Sequence, residues 1–249
     1  MKYKAIFLDV DGTTIVHGVG NLPTPRVTQA IRACHKKGIS VCLATSRPLS
    51  VTKDIIEYLD LFGYCVLSSG AQIYNPLAKQ IIMEKSIPRE VIPHIIDIAE
   101  QNTIPFKLFD GEKEAPYGKV LPEKIMGIYF PEVSRDKEES IMKQLEAILG
   151  ITPHRMDAWD ARFACIDITR TDATKLHGIV EVAKLMGIQT HEMIGVGDGY
   201  NDFPLLMACG LKIAMGNAVP ELKAIADFIA PSVEEDGVAT VIEKFIIAS

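Results

Sequence analysis

The sequence predicts an α/β protein in which a doubly wound parallel-sheet core is interrupted by an inserted α+β unit. Three observations lead there. Short apolar runs suited to strands buried on both faces alternate with helical-period segments at either end of the chain, this alternation breaks down in between, and polar residues recur at the carboxyl ends of the predicted strands. The 249 residues, 48% hydrophobic and 23% charged, suit one or two globular domains. The expected division is a core of residues 1–83 and 169–249 around an inserted domain of 84–168.

The first strand is the run Ala5-Ile6-Phe7-Leu8, which ends at Asp9. Thr24-Pro25 then supplies a cap and a first-turn proline for a helix whose apolar face carries Val27, Ile31 and Cys34 and which Gly38 stops. A strand at 39–44, a helix at 50–60 and a strand at 64–67 complete a βαβαβ series, which calls for parallel pairing and right-handed crossovers. After Gly70 the pattern changes to a hairpin over 72–84 around Asn75-Pro76, a helix at 89–101, strands at 106–109 and 124–130, a helix at 135–149 and a strand at 162–168. From Asp172 the alternation resumes: helix 173–186, strand 193–196, helix 201–208, strand 211–214, helix 219–226, strand 228–230 and helix 237–247.

Composition narrows the partners. The formal net charge is −6 and the longest basic run is Lys36-Lys37, so neither nucleic acid nor an anionic membrane is expected as a partner. An anionic small molecule is not excluded, because one pocket can be locally positive on an acidic chain. The five cysteines are dispersed, odd in number and never spaced C-x-x-C, which suits reduced, buried thiols. The apolar run after Met-Lys-Tyr-Lys is too short for a signal peptide, and no window approaches a membrane span, so a cytoplasmic protein is expected.

The chemistry concentrates at strand ends. Asp9-Val10-Asp11-Gly12-Thr13 closes the first strand, and alternation sends Asp9 and Asp11 to the same side at the sheet edge where open α/β folds bind ligands. Two carboxylates that close suit a hard divalent ion such as Mg²⁺, and Gly12 permits a sharp turn; a plain turn with Asx hydrogen bonds is the alternative. Thr45 follows the second strand, Lys175 lies in the helix after the insert, and Gly197-Asp198-Gly199-Tyr200-Asn201-Asp202 follows a later strand. Singly these read as a cap, a solvated helix residue and a loop. Together they are what a phosphoryl group needs: hydroxyl and N–H donors, a cation, and a metal bridging it to a nucleophile.

On these residues the chain resembles the haloacid dehalogenase-like hydrolase superfamily. The resemblance spans nearly the whole length: Asp-Val-Asp-Gly-Thr at 9–13, Thr-Ser-Arg at 45–47, Lys175, Gly-Asp-Gly-Tyr-Asn-Asp at 197–202, Met-Gly-Asn-Ala at 215–218 and Asp-Gly-Val-Ala at 236–239. The α+β insert looks like the larger, C2B-like cap of the Cof-type phosphatases. The resemblance implies a Rossmannoid core and a Mg²⁺-dependent phosphatase acting on a small phosphorylated metabolite, such as a sugar phosphate, through an aspartyl-phosphate. It makes Asp9 the nucleophile, Asp11 the general acid and base, and Thr45, Ser46 and Lys175 the phosphate-binding residues. It also implies a metal site of Asp9, Asp198 and Asp11 (through its backbone carbonyl), with Asp202 holding Lys175 or completing the outer shell and Asn201 and Gly12 supporting.

The chain departs from the family pattern at Ser46, where a glycine is common and a positive φ would cost a side chain, and at Ser68-Ser69-Gly70, which replaces a frequent Ser-Asn-Gly. Arg47 is a substrate contact or part of a structural turn. In the insert, Lys107, Lys119, His154, Arg155, Arg162 and the lone Trp159 are the candidates to meet a leaving group. A phosphomutase, a dehalogenase, which would need no Asp11, and a receiver-like phospho-Asp module, which has no inserted cap, are the competing readings.

Overall fold

The central sheet runs β13-β12-β11-β1-β2, all parallel. In chain order its strands are β1 (Ala5–Leu8), β2 (Ser40–Leu43), β11 (Met193–Gly197), β12 (Leu211–Ala214) and β13 (Phe228–Ile229). The computed structural model describes residues 2–18, 20–118, 121–158 and 160–248. Every residue of β1 is buried, as its unbroken apolar run requires of a strand covered on both faces. The helices α1 (Pro25–Lys36) and α8 (Gly237–Ile242) pack on one another, as do α5 (Lys175–Met186) and α6 (Phe203–Ala208). The first half of the chain adds β2 on one side of β1, and the second half adds β11, β12 and β13 on the other. The topology therefore reverses between β1 and β11, and Asp9 and Asp198 follow the carboxyl ends of those two strands, where such folds bind ligands.

Past α2 (Leu49–Tyr58), strand β3 (Cys65–Leu67) extends the parallel order through a single bridge between Ala44 and Val66, then turns into the antiparallel β4 (Gln72–Asn75) and β5 (Gln80–Glu84). The expected hairpin is there.

A second sheet, β7-β6-β8-β10-β9, is antiparallel throughout. It contains β6 (Lys107–Phe109), β7 (Glu114–Ala115), β8 (Gly127–Ser134), β9 (Ile151–Asp157) and β10 (Phe163–Arg170), with α3 (Ile92–Gln101) and α4 (Arg135–Glu146) between them in the chain. It has its own apolar cluster, including Ile95, Ile128, Phe130, Ile141, Ile166 and Ile168, separate from the one around the central sheet. Strands β7 and β9 have no counterpart in the sequence reading. β9 reads Ile-Thr-Pro-His-Arg-Met-Asp, and as an edge strand it lacks the apolar alternation that marks a half-buried one. The helix expected at 201–208 is shorter, with a 3₁₀ turn at Tyr200–Asp202 leading into α6, where Pro204 sits in the first helical turn. That turn faces Asp202 toward the site.

Candidate active site

Asp9 is 5% exposed and lies at the floor of a cavity of about 450 Å³ that Asp11, Ser46, Arg47, Asp198 and Asn201 also line. Beneath it Lys175, 1% exposed, donates to Asp9 Oδ1 at 2.7 Å and to Asp202 Oδ1 at 2.6 Å. Asp202 Oδ2 accepts the backbone N–H groups of Asp198 (2.8 Å) and Gly199 (3.0 Å), so this residue anchors both the lysine and the loop that presents Asp198. Lys175 reaches this point because Thr174 caps α5, its hydroxyl accepting from His177 N, which puts Lys175 in the first turn facing the sheet. Burial works against the Lys175 charge, yet Asp202 and Asp9 outweigh it and hold the ammonium above its ordinary range.

Asp198 accepts from Thr13 Oγ1 at 2.7 Å and from Asn217 Nδ2 at 3.3 Å, and the same amide donates to Gly12 O at 2.8 Å. Gly12 has φ +73°, and a Cβ there would stand 2.2 Å from Asp198 Oδ2. The glycine thus supplies both the turn and the space that lets the second loop approach the first. Asn217, in the Met-Gly-Asn-Ala stretch, has no role that its residue type alone assigns; its position in the loop after β12, at the same sheet edge, is the signal.

Carboxylate oxygens of Asp9, Asp198 and Asp202 lie within 4.8 Å of one another. Burial, then Asp202 beside it, pushes Asp9 up to about 7 despite Lys175, and burial with Asp202 and Asp9 drives Asp198 well above its usual range. An all-oxygen, carboxylate-rich set that resists holding its charges alone is what a hard divalent cation takes. Asp202 is fully buried and tied to Lys175 and the loop N–H groups, whereas Asp9 and Asp198 line the cavity, which makes those two the side chains best placed to hold such an ion.

Arg47 makes a bidentate pair with Asp11, Nε to Oδ2 and Nη2 to Oδ1, both 2.6 Å, and Nη2 also donates to Gly18 O. Arg47 is thus bound first to Asp11. Thr45 is buried below the cavity, its Oγ1 accepting from Arg47 N at 3.2 Å, while Ser46 lines the cavity. Ser46 does not carry the positive φ that would have cost its side chain. Ser68 (+48°) and Ser69 (+55°) do adopt positive φ, and their N–H groups donate to Arg47 O and Thr45 O and so tie the turn after β3 to the loop after β2. His17 also lines the cavity, its Nδ1 3.9 Å from Asp11 Oδ1.

The insert's cationic candidates go elsewhere. Lys107 pairs with Glu114, Arg162 with Asp160, and Arg155 with Glu138, the Arg155 guanidinium lying 4.3 Å from the centre of the Tyr200 ring. His154 is buried against Thr169 Oγ1 at 2.9 Å. Lys119 and Trp159 lie outside the described residues. What β8, β9 and β10 bring to the cavities is Gly127, Tyr129, Met156, Asp157, Asp167 and Thr169. Asp167 had a signal in the sequence, a lone acid in the otherwise apolar run Phe-Ala-Cys-Ile-Asp-Ile.

A family model described as haloacid dehalogenase-like hydrolase matches residues 6–119 and 117–242. The chain belongs to that family of hydrolases. It is 25% identical to the putative phosphatase YxeH of Bacillus subtilis, over 99% of each chain, and 24% identical to the 5-amino-6-(5-phospho-D-ribitylamino)uracil phosphatase YcsE of the same organism, over 98% of this chain and 96% of that one. The solved structure of BT4131, described as a HAD subclass IIB sugar phosphatase, superposes with a TM-score of 0.82 at 23% identity, covering 97% of this chain and 98% of that one. Among the described residues no helix is long and apolar enough to cross a membrane.

Proposed function

We propose that this phosphatase hydrolyses a small phosphorylated metabolite, with sugar phosphates as the first class to test, in a Mg²⁺-dependent reaction through an aspartyl-phosphate on Asp9. One observation carries the reading: Asp9 is a buried carboxylate at a cavity floor, with one oxygen fixed by Lys175 at 2.7 Å and Asp198 alongside. The names of the relatives support it, YcsE acting on a ribityl phosphate that carries a pyrimidine and BT4131 on sugar phosphates.

In this reading the hydrogen bond to Oδ1 aims the other oxygen of Asp9 at phosphorus, and in-line attack forms an Asp9–phosphorus bond as the ester oxygen leaves. Asp11, held by Arg47 at the cavity wall, gives the leaving oxygen its proton and later takes one from the water that cleaves the acyl phosphate. Ser46, the Thr45 hydroxyl and Lys175 serve the phosphoryl oxygens. A Mg²⁺ held by Asp9, Asp198 and the Asp11 carbonyl would neutralise phosphoryl charge, with Asn201 and Gly12 supporting that site. Residues 84–168 act as a cap on the core of 1–83 and 169–249. The Arg155–Tyr200 stack, which joins β9 to the loop bearing Asp198, supports that role.

Phosphate release from p-nitrophenyl phosphate and a sugar-phosphate panel, with and without Mg²⁺, is the test. Asp9→Asn is expected to lose activity by at least about 10³-fold. Full turnover by that variant, or isomerised hexose phosphate accumulating without free phosphate, would overturn the reading.

A further inference from the structure

Contiguous with the aspartate cavity is a second one of about 280 Å³, the two sharing Ser46, Arg47, Tyr129 and Met156. Strand register explains its walls. Phe109 stands opposite Gly127, and Tyr129 opposite Asp167, so these residues share one face of the second sheet. The alternate residues Ile128, Phe130, Ile166 and Ile168 point the other way, into that sheet's apolar cluster. The face that is spared core duty presents Phe109, Tyr129 and Met156 as apolar walls, and the Tyr129 hydroxyl is already turned to Cys165 Sγ at 2.9 Å.

Two polar groups in this wall are placed to meet a ligand; the hydroxyls of Ser68 and Thr169, which also line the cavity, are turned to Gln72 Oε1 and Ala173 O, and Ser46 is shared with the first cavity. Asp167 is 8% exposed, and its Oδ2 accepts from Ser69 Oγ at 2.5 Å. Burial pushes its carboxyl up to about 6, a cost that a purely packing position would avoid by carrying an apolar side chain. Gly127 adds nothing over it: a Cβ there would lie 3.5 Å from Asp167 Oδ1, so the missing side chain leaves that oxygen uncovered. The second group is Arg47. Its Nε and Nη2 are engaged by Asp11 and Gly18, whereas its buried Nη1 has no hydrogen-bond partner among the described residues. Buried donors are almost always satisfied, so this one marks a place where a ligand acceptor belongs.

We infer that this second cavity receives the far end of the leaving group and selects a flat nitrogen heterocycle, one N–H meeting Asp167 and one ring or carbonyl acceptor meeting Arg47 Nη1. The substrate class is then a phosphorylated sugar or polyol that carries such a ring. The inference rests on the phosphatase reading above. A bare sugar would lay hydroxyls against Phe109, Met156 and the Tyr129 ring, which are carbon surfaces, whereas a heterocycle presents its faces to those walls and its polar edge to Asp167 and Arg47.

The test compares kcat/KM, in Mg²⁺, for acetyl phosphate, ribose 5-phosphate, uridine 5′-monophosphate, pyridoxamine 5′-phosphate and riboflavin 5′-phosphate. At least one ring-bearing ester is expected to exceed ribose 5-phosphate by about tenfold or more. Asp167→Asn keeps the size and removes the charge. Gly127→Ala adds a methyl over Asp167 Oδ1 at ordinary contact distance. Each variant is expected to collapse the ring-to-ribose ratio toward unity. Wild-type enzyme that cleaves acetyl phosphate yet handles ribose 5-phosphate as well as every ring-bearing ester overturns the inference alone, as does a ratio that survives both substitutions. Absence of turnover with acetyl phosphate and all four esters overturns the phosphatase reading, and this inference with it.

Discussion

Asp11 and Arg47 lock together through two 2.6 Å hydrogen bonds, and Lys175 bridges Asp9 and Asp202 one layer below. The two arrangements do different work. Lys175 fixes Asp9, the proposed nucleophile, whereas Arg47 orients the group proposed to protonate the leaving oxygen. The distinction is measurable, because protonation matters in proportion to leaving-group basicity. Arg47→Ala is expected to lower kcat with alkyl phosphates by roughly 10- to 100-fold and to change it much less with p-nitrophenyl phosphate, whose leaving group departs unprotonated. A steady-state series over leaving groups of graded pKa checks this; an equal loss across the series would make Arg47 a plain phosphate binder. The type and order of Asp9, Asp11 and Lys175 were readable in the chain. The partner of Arg47 was not, because a pair 36 residues apart depends on how the loops after β1 and β2 face each other.

The site is built where secondary-structure elements end. β1 and β11 deliver Asp9 and Asp198, and the turn at Gly12 lets the two loops meet. Gly12→Ala would place its Cβ within 2.2 Å of Asp198 Oδ2 at a φ of +73°, so the Asp198 carboxylate must move or the turn must open. The expected outcome is a weakening of Mg²⁺ binding by about tenfold or more, measured by titration calorimetry, with a stability loss of only about 1–2 kcal/mol in urea unfolding. Unchanged Mg²⁺ affinity would remove Asp198 from the proposed metal site. At this scale the buried strands are legible in the sequence, because their apolar runs are dense, whereas β9 is not. An edge strand with one face toward a cavity carries polar residues that read as a loop.

Across the whole molecule, two buried titratable groups on neighbouring positions of β9 and β10 pull stability in opposite directions. His154 is held down at about 4 by burial, with the Lys175 charge adding to it, so the folded state stays unprotonated while the unfolded chain takes up a proton; its contribution is lost as pH falls from about 6.5 to about 4. Asp167 is raised from 3.8 to about 6, so the folded state retains a proton that the unfolded chain releases, and its contribution is lost as pH rises through that interval. Above pH 6 that loss is complete and amounts to about 3 kcal/mol. Asp167→Asn is therefore expected to raise the melting temperature at pH 7.5, with the gain fading toward pH 4. Thermal melts at the two pH values check it; equal melting temperatures at pH 7.5 would show the carboxyl to be unburdened by burial. A gain in stability alongside lost discrimination between esters is the usual signature of a residue kept for function.

The sequence by itself determined the α/β class, the βα alternation and the end of each strand at which acids, a hydroxyl and a lysine accumulate. All of these are periodicities or local turn signals read within a few residues. It also carried the family resemblance, which the family match upholds. Tertiary structure alone decided that Arg47 holds Asp11, that Asn217 reaches both Gly12 and Asp198, and that Asp167 and Tyr129 face the core domain while the insert's cations pair elsewhere. Those outcomes depend on strand register and on contacts between residues far apart in the chain, and a one-residue slip would turn Asp167 into the apolar cluster and Ile166 or Ile168 toward the cavity.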